Sequence, residues 1–429
     1  MSIAKIATQL RQHLQDPLYR NSYFLMGRSV ANSLLGVVFW IVAARLYPAD
    51  QVGLATALIS AIGLLVILSN LGLNISLLRY LPRETYKKGM INTAFTIRGL
   101  FASLLALVFV AGLGLWSPAL QFVQEDIALL LLFVIFTTAN SLTMLQSAAF
   151  VGMRSAKFSF VQSIIAGILR IPLPIVLLSL GVAGIFFAWG SAVCVALIAA
   201  LFLFLPRVVP GYYPVPTIKR KVIKEIANFS AGNYAAEILE SLPSLLLPLV
   251  IVNILAHEMS AYFYMAWGIA LMLFMIPNSI NSSLLAEGSY DPVGLRKNVI
   301  RAIKVTFILL VPAILIVLIL GDKLLLLFGS EYSQNALYLL WILAASAIPV
   351  TITRVYMTIK RIQMKMGPVI AIYVFTASGT LALSCGLMTS IGLLGIGIAW
   401  ISTQGIMAVV TGLLLIKEIK AGLADGREQ

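Results

Sequence analysis

Cysteine and histidine are nearly missing from this chain of 429 residues, which holds two of each. Cys194 and Cys385 both lie in apolar runs, and His13 and His257 stand far apart in the sequence. Neither a disulfide scaffold nor a metal centre can be assembled from them. Charge is scarce as well: 11% of residues carry it, against about 25% in soluble domains. No G-x-x-x-x-G-K-[ST] loop occurs, so no nucleotide-driven motor is written into the chain, and no cofactor is called for. Hydrocarbon takes the place of all these. Hydrophobic residues make up 60% of the chain, and its mean hydropathy of +0.99 is more than a water-soluble globule could hide.

Apolar runs of roughly 17–25 residues predict membrane-crossing helices. They fall at 23–44, 54–78, 93–116, 127–151, 158–179, 182–205, 227–255, 261–285, 299–320, 336–359, 368–389 and 391–416. The expected fold class is therefore an all-α membrane protein with twelve transmembrane helices, numbered here as spans 1 to 12. Loops are short, so the chemistry has to sit within the membrane.

Basic residues set the orientation. Most of the 30 lysines and arginines fall in alternate loops, among them Arg79, Lys87, Arg154, Lys157, Arg207, Lys219, Lys221, Arg296, Lys297, Lys360 and Arg361. The positive-inside rule makes those loops cytoplasmic, which puts both termini inside a cytoplasmic (inner) membrane. The net charge of +14 is then a topology signal with attraction to anionic membrane lipids, and a nucleic-acid partner is not expected. No signal peptide is read before span 1. Within residues 1–20, Ile3, Ile6, Leu10 and Leu14 share one helical face, which predicts a basic amphipathic helix lying on the inner surface.

The chain is written twice. Residues 181–189 (GVAGIFFAW) and 392–400 (GLLGIGIAW) keep Gly, Gly, Ile, Ala and Trp in step at an offset of 211. Residues 46–57 lie over 254–265 at an offset of 208, which sets Asp50 on Glu258 and Asn70 on Asn278. Offsets so close at opposite ends of a half indicate a duplicated six-span unit. An even number of spans per half makes two parallel six-helix repeats, related by a pseudo-twofold along the membrane normal. The expected domains are an amphipathic segment at 1–22, an N-terminal lobe at 23–205, a basic linker at 206–226, a C-terminal lobe at 227–416 and a cytoplasmic tail at 417–429. Two like lobes enclose a cleft, and rocking them opens it to alternate sides; transport is the default function.

Six ionisable residues fall within the spans: Arg28, Arg98, Arg170, Glu237, Glu240 and Arg354. Each costs roughly 2.5–3.5 kcal/mol at a helix centre unless it finds water, a partner or the interface. Arg98 and Arg354 lie near the cytoplasmic ends and are expected to snorkel. Arg170, beside Pro172 and Pro174, either pairs with carbonyls that the prolines free or lines the cavity. Glu237 and Glu240 share a face of span 7 with Ser230, Asn233, Ser241 and Ser244. At the repeat offset, Arg28, Asn32 and Ser33 occupy the same depth on span 1, so opposite charges are expected to face each other across one cleft. That arrangement either lines a cavity or forms a salt bridge between lobes. The glutamates could couple a proton or sodium ion, and Arg28 could clamp a phosphate. Asn70, Asn74, Asn278 and Asn281 either hold sugar hydroxyls or bond between helices. The expected cavity set is Arg28, Asn32, Asn70, Arg170, Asn233, Glu237, Glu240 and Asn278. Trp189, Trp267 and Trp400 read as packing. Catalysis is not expected, because the paired glutamates lie one turn apart on one helix with no external fold to hold a substrate.

Residues 43–82 (AARLYPADQVGLATALISAIGLLVILSNLGLNISLLRYLP) resemble the first hairpin of oligosaccharide/polysaccharide flippases. Those flippases belong to the multidrug/oligosaccharidyl-lipid/polysaccharide (MOP) exporter superfamily. Residues 324–336 (LLLLFGSEYSQNA) are similar to that family's stretch before span 10. The resemblance implies translocation of lipid-linked oligosaccharide for polysaccharide assembly, with a span-1 arginine, here Arg28, facing the cavity; a monomer is expected. A cation-driven drug exporter of the same superfamily is the nearer rival. A membrane-embedded glycosyltransferase is the farther one, and the absence of any large loop counts against it.

Overall fold

The computed structural model describes residues 17–219 apart from 83 and 85, residues 231–290 and residues 294–420. Most of the amphipathic segment, the end of the basic linker with the start of the run expected for span 7, and most of the tail lie outside the described residues. Those described form helices and no strands. Twelve helices are long and apolar enough to cross a membrane: Arg20–Leu46, Ala49–Leu68, Lys87–Ala111, Ile127–Gly152, Ala156–Val176 and Val182–Val208, then Tyr234–Ile254, His257–Gly288, Leu295–Leu326, Ser330–Ile362, Met366–Ile391 and Leu393–Glu418. The chain is an all-α, multi-pass membrane protein. Large apolar side chains such as Leu104, Leu131 and Ile319 stand exposed on its helices, as lipid-facing positions require.

Several of the expected spans are interrupted, spans 2 and 5 among them. The apolar run of span 2 extends to 78, but its helix stops at Leu68 and a second, short helix covers Leu73–Tyr80. Leu71 and Gly72 both adopt positive φ between them, which ends the first helix and starts the next in a new direction. Span 5 is helical over Ala156–Arg170, and Pro172 restarts it as the short turn Leu173–Val176. The Tyr47 hydroxyl takes up the Pro174 carbonyl at 2.8 Å.

The backbone repeats as the sequence does. Gly181 precedes span 6 at φ 56, ψ −132, and Gly392 precedes span 12 at φ 61, ψ −140. A Cβ is strained in that region, which accounts for glycine at both. The loops after spans 4 and 10 match too. Arg154 and Met364 have φ of 54 and 58. The following amides, Ser155 N and Lys365 N, each reach back five residues, to the Phe150 and Lys360 carbonyls, at 2.8 Å. This is the Schellman pattern of a left-handed helix end.

The chain divides into two compact units, one holding residues up to Pro48 and Leu58–Tyr234, the other Ala49–Ala57 and Ala235 onward. In the first, Leu77, Met90, Phe95, Leu145, Phe150 and Tyr212 form one apolar core. In the second, Ala236, Leu284, Val299, Tyr356, Ile372 and Met407 form another. The second unit also holds a close backbone approach, since a Cβ on Gly53 would stand 1.8 Å from the His257 carbonyl oxygen.

Candidate functional site

In the second unit, span 7 presents Glu237 and Glu240 one turn apart, both half-buried. Pro243 stands within this helix and cannot donate to the Leu239 carbonyl, which loosens the helix beside the acids. Glu240 accepts an ion pair from Arg354 of span 10 at 2.9 Å, with side chains 34% and 24% exposed. The Tyr373 hydroxyl of span 11 also bonds Glu240, and it accepts from Arg361 Nη2 at 3.4 Å. Arg354 therefore does not snorkel: half-burial makes a carboxylate partner worth more than a stretch to the interface. The negative charge of Glu240, expected opposite Arg28, is balanced inside its own unit.

In the first unit, Arg28 of span 1 lies against spans 4 and 5. Its Nε donates to Ser163 Oγ at 3.1 Å, and its Nη1 donates to Ser147 Oγ. Ser147 in turn shares a hydrogen bond of 2.7 Å with Ser159, and Gln162 Nε2 donates to Gln146 Oε1 at 2.7 Å. Among the described residues, the partners of Arg28 are neutral hydroxyls. A cation so placed is oriented without being neutralised, and part of its five-donor fork is left for an incoming anion. The serines are the site residues that the sequence reading missed. Ser159 and Ser163 sit four residues apart, on one face of a helix, and that spacing was the available signal.

Arg98 departs furthest from expectation. Instead of snorkelling it is fully buried, at the break in span 2. Nη1 donates to Asn70 Oδ1 at 3.2 Å and to Asn74 Oδ1 at 2.6 Å, Nη2 to the Val66 carbonyl at 3.3 Å, and Nε to Ser141 Oγ at 2.7 Å. Asn70 Oδ1 also accepts from the Asn74 backbone amide at 3.4 Å. The Val66 carbonyl belongs to the last turn of a helix, whose negative end attracts a cation. Asn70 and Asn74 thus bond between helices in this structure, tying the two pieces of span 2 to Arg98 of span 3.

The remaining expected residues are dispersed. Arg170 lies 5.8 Å from the ring centre of Phe39 and 5.6 Å from that of Trp189, within cation–π range. Asn32 is exposed and Asn278 half-buried. Among the described residues, the Asn278 Oδ1 and both polar atoms of the neighbouring Asn281 are buried without a hydrogen-bond partner. The Asn233 side chain lies outside what the structure describes. Trp267 and Trp400 meet edge to face with ring centres 4.8 Å apart, and Trp400 Nε1 donates to Ser346 Oγ at 2.9 Å. Among the described residues, no group of three or more His, Cys, Asp or Glu gathers to hold a metal.

Solved structures that align with this chain include transporters. An inward-facing multidrug resistance MATE family transporter of the MOP superfamily aligns with a TM-score of 0.70 at 16% identity, over 92% of this chain and 96% of its own. The MATE multidrug transporter DinF-BH aligns with a TM-score of 0.66 at 16% identity, over 95% and 96%. A MOP superfamily transporter from Pyrococcus furiosus aligns with a TM-score of 0.64 at 18% identity, over 95% and 96%. Comparison with curated proteins finds no match. Residues 42–337 match a family described as "Polysaccharide biosynthesis protein". That match spans more than half of the chain, which therefore belongs to the polysaccharide biosynthesis protein family and has the fold of MOP superfamily transporters.

Proposed function

We propose that this chain is a flippase that carries lipid-linked oligosaccharide across the membrane by alternating access, with Arg28 engaging the phosphate. The observation that carries the reading is a guanidinium inside a span, tied to Ser147 and Ser163, in a chain of a polysaccharide biosynthesis family. A sugar-phosphate headgroup cannot enter hydrocarbon unaided, because each polar group without a partner costs several kcal/mol. A cation held by neutral hydroxyls suits an anionic headgroup and repels an organic cation. Membrane potential would contribute about 2.3 kcal/mol per charge per 100 mV.

Multidrug transport is the second reading, and Glu237, half-buried on span 7, is the observation in its favour. Glu240 adds little to it, since Arg354 already balances that charge. Charge sign is a sound discriminator for this fold: the Pyrococcus furiosus transporter is described as having a binding pocket of reverse polarity that suggests a different function. The test is reconstitution into liposomes carrying a labelled polyprenyl-diphosphate glycan, with a fluorescent organic cation in a parallel set. Glycan scrambling that Arg28→Ala reduces by tenfold or more is the expected result. Cation uptake that Glu237→Gln abolishes, with no glycan movement, would transfer the chain to the second reading.

A further inference from the structure

The first unit encloses a second polar feature, at the end that carries its basic loops. The start of span 1, the turn between spans 4 and 5 and the end of span 6 surround a cavity of about 280 Å³. Four of its nine lining residues are cationic, namely Arg20, Arg154, Lys157 and Arg207, and none is acidic. Like charges gathered in one hollow repel one another, and an anion relieves them.

Two of the cations are set there by distinct features of the backbone. Arg154 occupies the left-handed turn, at φ 54. Arg207 follows a π turn at Ala200–Phe204, where the wider coil accommodates Pro206. Span 5 begins at Ala156 with no cap bond from the Ser155 side chain and no acidic residue in its first turn, so the positive end of a 15-residue helix opens at the same place with only the Ala156 amide taken up by a side chain. Asn21 accepts from the Ala156 amide at 3.1 Å and ties span 1 to that helix start. Phe158 gives the hollow an apolar wall, with Lys157 Nζ 4.8 Å from its ring centre. A free ion needs only the charges. Charges beside an aromatic wall suit a phosphate that carries a hydrocarbon chain.

We propose that this cavity is a binding site for the phosphate group of a membrane lipid. The volume is slightly below the roughly 300–1,000 Å³ of sites for drug-sized molecules, which admits a headgroup and leaves the chains in the bilayer. The site is separate from Arg28 and does not depend on the transport reading. Two lipids offer the chemistry: an anionic phospholipid and a polyprenyl diphosphate.

The experiment is native mass spectrometry of the full chain in detergent, titrated with phosphatidylglycerol, undecaprenyl diphosphate, phosphatidylcholine or inorganic phosphate. Two variants accompany it. Arg20→Gln combined with Arg207→Gln removes exposed charges, and Arg154→Gly removes a charge while relieving the left-handed backbone, so it folds at least as well as the parent. The expected result is retention of one or both anionic lipids above phosphatidylcholine, weakened roughly fivefold for each charge removed. Preference for undecaprenyl diphosphate would make the substrate lipid the occupant, and preference for phosphatidylglycerol a bilayer lipid; either upholds the site. Lipid retention unchanged in both variants overturns it, as does capture of inorganic phosphate with no preference among the lipids.

Discussion

A guanidinium cut off from water needs a partner for nearly every donor, and Arg98 finds them in two asparagines, a serine and a helix-end carbonyl. Substituting Arg98→Met would leave those acceptors unpaired, at about 1–3 kcal/mol for the buried group that fares worst. The expected outcome is a lower melting temperature in detergent, with Arg98→Lys only a partial rescue, because an ammonium cannot span the same fork. A melting temperature equal to the parent's would show that the network contributes nothing to stability. Sequence position shows that Arg98 lies in a span but not which way its side chain runs. Distance from the helix end favours the interface, while Asn70 and Asn74, separated from it by a loop, supply the cheaper solution. Glu240 and Arg354 depart from expectation in the same manner: each is recognisably costly in sequence, and its partner comes from a span far away in the chain.

Helix ends are legible where a residue type enforces them. Gly181, Gly392, Pro48 and the Asp126 cap, which accepts from the Ala128 amide at 2.8 Å, all stand where a span starts. The break in span 2 is only partly legible: Ser69, Asn70, Gly72 and Asn74 mark a polar dip in the run, but Leu71, an apolar residue, takes positive φ there. Close approaches are hidden. Gly36 and Gly53 belong to the first two spans and look alike in sequence, yet a Cβ on Gly36 meets nothing within 4 Å, whereas one on Gly53 meets the His257 carbonyl. Gly53→Val is expected to destabilise the chain by about 1–3 kcal/mol or more through overpacking. Gly36→Ala is expected to stabilise span 1 by up to about 1 kcal/mol from helix propensity. Thermal unfolding of the two variants side by side checks both, and equal effects would refute the contrast.

For the molecule as a whole, composition and the period of apolar runs are enough for the span count, because hydrocarbon imposes a length on every crossing segment. The repeat is legible from a few residues in step, and the paired turns carry it into the backbone. Substrate is not legible, since recognition of any substrate rests on a handful of side chains whose partners come from distant spans. Its test belongs at the scale of the cell. Deleting the chain from its native host is expected to raise the pool of lipid-linked glycan on the inner leaflet several-fold, measured by extraction and labelling. An unchanged pool together with hypersensitivity to cationic dyes would favour drug export. The twin turns have a practical consequence as well. Arg154 and Met364 share one backbone shape while their side chains have nothing in common, and Met364 is 86% exposed. The loop's form is therefore dictated by its main chain, and the residue at its tip can be exchanged at little cost to the fold. Spin labels or fluorophores mounted at 154 and 364 would form a matched pair of beacons, rigidly held and equivalent by ancestry, whose separation could be followed while the protein works.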